Sequence, residues 1–314
     1  MAAKESGRIA ELLRDPKMSE VIDKLTKEFN TIFENIGYKP RSAKGKLIKH
    51  FTVYLLLVAG IENFNEMRYY FKDLKIHRPD VLYRIGEDLY RAGAIAEFQT
   101  VYDWKHSTWD IHKKPWPRAK ESRYIPIPPD IFIRFHKSKD EIEPYLNELK
   151  YMSELYAQNY QNYGLTIDRG VIIFECQRDW EIYMTTYWLL SGKVKEVIRI
   201  KTRRGTWYKE HEIFRKALVN ALKKGIEIKV IASITPDLKE EAEAFQALGG
   251  KVKHMEEEHL GIDRLIIVDD DLAVCSHRIT KYDDPFGIYA GTIFVNASEQ
   301  INNLIKKFEY EFSI

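Results

Sequence analysis

The sequence has only two cysteines, Cys176 and Cys275, and neither has a partner at the spacing used by metal sites. A disulfide framework is therefore excluded, and the two read as reduced thiols of a cytoplasmic protein. No apolar run is long enough to cross a bilayer. The longest, residues 51–61, follows Lys49 and His50 and is closed by Glu62. Residues 1–20 are charged and lack the apolar stretch of a signal peptide, so no leader is expected. Nothing in the chain reads as a cofactor motif. His254, Glu256, Glu257, Glu258 and His259 are rich in ligand types, but consecutive carboxylates cannot converge, and the two histidines lack a four-residue helical offset. A solvated acidic loop is expected there, with no metal.

What is present is enough for two domains. Of 314 residues, 45% are hydrophobic and 31% charged, so the chain can bury real cores and stay dissolved. The net charge of +2 conceals an uneven distribution. Residues 1–136 hold 24 Lys and Arg against 18 Asp and Glu, and the remainder 25 against 29. A basic front and an acidic back suit an anion-binding module joined to a part with another task.

In the front half, Val21, Leu25, Phe29, Ile32, Phe33 and Ile36 lie on one face of a packing helix. A small basic linker follows, and then an apolar helix over residues 47–59 that stops at Gly60. Asn63 and Glu66 have capping-box spacing and start another helix through Phe64, Met67, Tyr70, Phe71 and Leu74. Pro79 suits the first position of a third, because its missing N–H would be unbonded there anyway. Leu82, Ile85, Leu89 and Ala92 give that helix a buried stripe before Gly93. Three helices so connected fit either a helix-turn-helix or a plain packing unit. In the first reading the third helix enters the major groove with Arg78, Asp80, Tyr83 and Arg84 outward, while Lys72, Lys75 and His77 face the backbone.

A strand over residues 95–102 and a returning strand over 123–128 enclose a loop rich in bases and aromatics. A hairpin placed after a recognition helix is a wing, and Lys105, Lys113, Lys114, Arg118 and Lys120 would lie along phosphates. Trp104, Trp109 and Trp116 suit packing of that wing. Residues 140–163 then predict a long helical stretch whose regular part starts near Pro144. Tyr145, Leu149, Met152, Tyr156, Asn159 and Tyr163 alternate by four and three, the seam of a dimeric coiled coil or of a helix laid on the sensor domain.

From residue 165 the pattern alternates strands and helices, an α/β domain with parallel strands first and a meander near the end. Ligands of such sheets gather beyond the strands' carboxyl ends. Glu175, Gln177, Arg203, Arg204, Trp207 and Tyr208 fall there and could hold an anionic or sugar-like effector, or form an ordinary basic turn.

The order of these parts resembles the TrmB-type archaeal transcriptional regulators, in which a winged helix is joined by a coiled coil to a phospholipase-D-like sensor domain. The resemblance rests on Leu82-Tyr83, on residues 89–95, on the Tyr-Ile-Pro-Ile-Pro-Pro run at 124–129, and on residues 261–274. This chain departs from the family in its longer wing, in an extra helix before residue 44, and in Gly86 where the family has a large apolar residue. The resemblance implies an α+β winged helix-turn-helix domain over 44–136 after a helical extension over 1–43. A dimerisation helix over 137–164 and an α/β phospholipase-D-like domain over 165–314 complete it. It implies a homodimer on double-stranded DNA in the cytoplasm, at the nucleoid. Phospholipase D enzymes carry His-x-Lys-x4-Asp; the matching positions here hold Ile262, Arg264 and Asp269. Without the imidazole there is no nucleophile of that kind, so no catalysis is expected. An architectural DNA-binding protein without effector is the alternative, and an unrecognised nuclease or hydrolase a third.

Overall fold

In the computed structural model the described residues are 9–36, 47, 49–67, 74, 78–101, 123–261, 264–281 and 287–314. The chain divides into two compact units, one of residues 1–97 with 118–166 and the other of 98–117 with 167–314.

Unit 1 is built around a short helix with no polar face. Helix α1 (Pro16–Asn35) starts at Asp15, whose carboxylate accepts from the Lys17 N–H at 2.9 Å, and buries Met18, Val21, Leu25, Phe29, Ile32 and Phe33. Helix α2 (His50–Val58) has all nine residues buried, and a helix apolar all round belongs at the centre of a domain. Phe29 of α1 packs on Phe51 and Tyr54 of α2 and on Phe132, with ring centroids 4.9–5.7 Å apart. Two short pieces follow, α3 (Phe64–Met67) and α4 (Pro79–Arg91). Strand β1 (Ile95–Val101) has β2 (Arg123–Pro126) as a neighbour. The β2 end is pinned in unit 1 by Tyr124 N–H donating to Glu62 O at 3.0 Å and Ile127 N–H to Ala94 O at 2.9 Å.

Helix α5 (Pro129–His136) carries Phe132 into the core. The predicted long helix is three pieces: α6 (Lys139–Ile142), opened by a capping box between Ser138 and Glu141, a 3-10 turn Glu143–Tyr145, and α7 (Leu146–Asn159). Pro144 explains the break, since it cannot donate within a continuing helix. Lys24 of α1 meets Glu148 of α7 at 2.5 Å.

Unit 2 is a sheet with helices on both faces. Its strands are β3 (Gly170–Gln177), β4 (Val197–Arg204), β5 (Glu227–Ser233), β6 (Lys251–His254), β7 (Arg264–Val268), β8 (Leu272–Arg278) and β9 (Ile288–Val295). Their order across the sheet is β3-β9-β8-β7-β4-β5-β6. Parallel pairing holds only for β4–β5–β6. The first strand, expected among parallel neighbours, instead pairs antiparallel with the last, from Gly170↔Val295 to Gln177↔Ile288. Strands β7, β8 and β9 form the expected meander.

Helices α8 (Trp180–Leu190) and α10 (Glu212–Lys223) pack together, and with Ile200 and Ile266 they enclose a small cavity on one sheet face. The short α9 (Thr206–Glu210) follows β4, and α11 (Lys239–Ala247) precedes β6. The last helix, α12 (Ser298–Ser313), covers the other face with Ile301 and Phe308 on Ile231, Leu265, Ile267 and Ala273. Side chains alternate across a strand. Arg199 and Lys201 of β4 therefore also face α12, where they pair with Glu309 at 2.5 Å and Glu311 at 2.8 Å.

Candidate nucleic-acid interface and ligand site

Helix α4 presents the predicted recognition residues. Pro79 opens it after Arg78, which is extended at φ −142° and ψ 136°. Leu82, Ile85 and Leu89 are at most 1% exposed, while Tyr83 is 45% exposed. The side chains of Arg78 and Arg84 are 71% and 49% exposed.

The buried face of α4 is held by two contacts the sequence did not announce. His50 Nε2 lies 2.7 Å from Asp88 Oδ2, both buried, which ties α4 to the central helix. Gly86 sits against Phe64: a Cβ built there would come within 2.1 Å of Phe64 Cε2. Gly86 thus leaves the space that the Phe64 ring of α3 fills, and Phe64 also meets Tyr124 of β2, with ring centroids 4.4 Å apart.

Charge on the exposed face is organised around Asp80. Its carboxylate accepts from Arg78 Nε at 2.8 Å and Nη2 at 3.0 Å, and Arg84 Nη2 lies 3.3 Å away. The hydrogen-bonded Arg78 guanidinium, with the Arg84 charge added, holds the Asp80 carboxyl below the usual carboxylate range. Lys72, Lys75, His77, Lys105, Lys113, Lys114, Arg118 and Lys120 lie outside the described residues.

The dimer seam requires correction. Leu149, Met152 and Tyr156 are buried within unit 1, at 2%, 0% and 1% exposure. Tyr156 donates to the carbonyls of Pro126 at 3.3 Å and Gly164 at 3.2 Å. Helix α7 ends at Asn159, where Asn159 packs on Gly60, and Tyr163 lies beyond it at φ 52°. Tyr145 closes the 3-10 turn. The alternation that read as a coiled coil is spent on the helix's own domain, and α7 is part of unit 1.

Among the described side chains, the predicted effector residues meet different partners. The Gln177 side chain accepts from Asp179 N–H at 2.9 Å at the start of α8. Arg203 pairs with Glu257 at 3.1 Å, so the acidic turn after β6 serves a basic partner. His254 in that segment accepts from the Ile234 N–H and lies 3.1 Å from Glu256. Tyr208 is buried against Phe245, 5.3 Å between centroids, and lines an apolar cavity with Val230, Ala232, Leu238 and Val252. Burial pushes its hydroxyl above the usual range. Glu175 is half-buried on β3, and the side chains of Arg204 and Trp207 lie outside the described residues.

A polar cluster that sequence reasoning missed lies at the start of β7 and α8. Arg264 Nη1 donates to Glu181 Oε2 at 2.8 Å and to the Arg178 carbonyl, and its guanidinium lies 4.2 Å over the Tyr289 ring. Asp179 lies 3.6 Å from His211. Burial works against the Asp179 charge, but His211, Arg178 and Arg264 outweigh it and hold the carboxyl below its usual range. Trp180 Nε1, Glu181 Oε1 and Ser276 Oγ are buried there without a hydrogen bond. Residues 178–181, 211, 264 and 289 are too far apart in sequence for any spacing rule to join them. Burial also pushes the Cys176 thiol well up and that of Cys275 up to about 12, which makes both inert.

Of the three residues that the sequence reading set against the phospholipase D motif, two have partners in the structure. Arg264 is engaged as above. The Asp269 carboxylate accepts from the N–H groups of Lys195 at 3.0 Å, Glu196 at 2.9 Å and Val197 at 2.8 Å. Ile262 lies outside the described residues.

No known protein family and no curated protein matches this chain. Among solved structures, similarity extends to Nuc, a phospholipase D family member from Salmonella typhimurium, with 18% identity, 40% of this chain, 86% of that chain and a TM-score of 0.33. It extends also to NucT from Helicobacter pylori, with 13% identity, 43% and 92% coverage and a TM-score of 0.31. A third is TrmBL2, described as an archaeal chromatin protein with a novel mode of DNA binding, with 14% identity, 74% and 81% coverage and a TM-score of 0.33. At such scores these likenesses fix neither a family nor an activity for this chain.

Proposed function

We propose that this chain is a double-stranded-DNA-binding transcriptional regulator that reads DNA with α4, and that unit 2 senses rather than catalyses. One observation carries the reading: α4 buries Leu82, Ile85 and Leu89 completely while Arg78, Tyr83 and Arg84 stand exposed beside its N-terminal turn. A helix that is covered on one side and presents arginines at its start is shaped for a major groove. The basic balance of residues 1–136 agrees with it.

The non-catalytic reading of unit 2 is supported by Ile262 at the nucleophile position and by the structural engagement of Arg264 and Asp269. A small effector would act at the Tyr208 cavity or at the cavity beside the Arg264 cluster. Pairing of two copies, which a two-fold operator requires, has to use a surface other than the Leu149–Met152–Tyr156 face.

The test is a titration of labelled duplex DNA with the full chain over a salt series. Log affinity should fall linearly with log salt, by roughly 0.9 per phosphate contact. Arg84→Ala should make that slope shallower. Absence of salt-sensitive binding refutes the function, and binding with no preferred sequence assigns the architectural alternative instead.

A further inference from the structure

The ion pair at the start of α4 has a geometry that bears on which base is read; this inference rests on the DNA-binding reading above. Asp80 engages Arg78 through Nε and Nη2, at 2.8 and 3.0 Å. A guanidinium is planar and carries five N–H donors in a fixed fork. Occupying the Nε–Nη2 edge leaves the Nη1–Nη2 end directed away from the carboxylate, with its two parallel donors at the tip of a side chain that is 71% exposed. Those donors match the O6 and N7 acceptors that guanine alone presents as a pair in the major groove. Arg84 approaches the same carboxylate from one helical turn further on, 3.3 Å from Oδ2. The carboxylate is thereby held between two cations, and Arg78 is fixed before any DNA arrives.

We propose that Arg78 is the guanine-reading residue of this protein and that Asp80 is its positioning residue. Asp80 also limits binding to random sequence. It places a negative charge at the helix N-terminus, where phosphate oxygens would otherwise be attracted. A phosphate has to compete with that carboxylate for Arg78, whereas a guanine edge takes the donors the carboxylate leaves. Discrimination is therefore gained at the expense of non-specific affinity, with two residues spaced two apart.

The experiment selects binding sites from randomised duplex DNA with the full-length wild type, Arg78→Lys and Asp80→Asn. The affinity of each for the selected site and for its single-base variants is then measured at fixed salt. Wild type should enrich a guanine whose replacement by adenine weakens binding tenfold to a hundredfold, about the discrimination of one bidentate pair. Arg78→Lys keeps the charge but has no fork, so the preference for that guanine should vanish while the salt slope stays unchanged. Asp80→Asn should reduce the preference at least threefold and raise affinity for random DNA. All the groups altered are exposed, and circular dichroism of each variant should match wild type.

A guanine preference that survives Arg78→Lys, or that Asp80→Asn lowers by less than threefold, overturns the proposal. A wild type that binds DNA strongly with no such guanine overturns it as well but leaves DNA binding standing. Failure of all three proteins to bind DNA in a salt-sensitive way sinks the DNA-binding reading itself.

Discussion

Removing Glu181 should leave the Arg264 guanidinium buried without its counter-ion. The Glu181 and Arg264 side chains are 1% and 14% exposed and meet at 2.8 Å. Breaking a buried pair by deleting one partner typically costs about 3–5 kcal/mol, because the surviving charge has lost both water and partner. Arg264 would retain the Arg178 carbonyl, the Tyr289 ring 4.2 Å below it and the field of the Asp179 carboxylate. A desolvated cation–ring contact is itself worth about 2 kcal/mol. The cost of Glu181→Gln should therefore fall at the lower end, about 3 kcal/mol. Replacing both residues, as Glu181→Leu with Arg264→Met, removes the charges together and should cost far less than the two single changes summed. Urea unfolding followed by tryptophan fluorescence reads this directly, since Trp180 and Trp188 are buried in unit 2. At an m-value of about 1–3 kcal/mol/M, the single variant should lower the midpoint by about 1–3 M. If the single changes each cost under about 1 kcal/mol, or simply add in the double variant, the pair is not the buried, coupled one described here.

Gly86→Ala should destabilise unit 1 by about 1 kcal/mol: overpacking against Phe64 costs about 1–3 kcal/mol, and the gain in helix propensity of about 1 kcal/mol offsets part of it. Phe64→Leu should cost less in that background than in wild type, and equal costs in thermal unfolding would contradict the contact. Asp269→Ala removes the acceptor of three backbone N–H groups and should cost about 3 kcal/mol or more, visible as a lowered urea midpoint; an unchanged midpoint would mean those donors find other partners. The Lys24 ammonium, hydrogen-bonded to Glu148, holds that carboxyl below its ordinary value of 4.5. Its contribution is thus complete above pH 4.5 and lost as pH falls through the lower, folded-state value. Glu148→Gln should be less stable than wild type at neutral pH, with the difference closing in acid; a gap that persists at pH 2 would refute the linkage.

Much of α4 was legible in the sequence. Pro79 at its start, the spacing of Leu82, Ile85 and Leu89, and Gly93 at its end are local signals, and a helix of this kind is decided by local backbone preference and one apolar stripe. The same holds for the seven strands of unit 2, whose existence follows from short apolar runs between turn residues. What covers a stripe is another matter. Leu149, Met152 and Tyr156 recur at a spacing that serves a second copy or the chain's own core equally well, and only the carbonyls of Pro126 and Gly164 above Tyr156 show which was used.

Strand order was similarly open. Nothing in residues 170–177 says that their partner is 288–295, because backbone pairing is chemically the same along every strand. The residues with chemistry to spare were the hardest to foresee. Asp179, Glu181, His211 and Arg264 acquire their partners only when β7 and α8 are brought together, just as Gly86 acquires its reason only from Phe64. Sequence by itself determined which segments are helix or strand, which faces are apolar, and which half carries positive charge, since these depend on neighbours within a few residues. Tertiary structure alone decided what each apolar face meets and which buried charges find one another, because those contacts join residues tens of positions to more than a hundred positions apart, and no local pattern encodes such a distance.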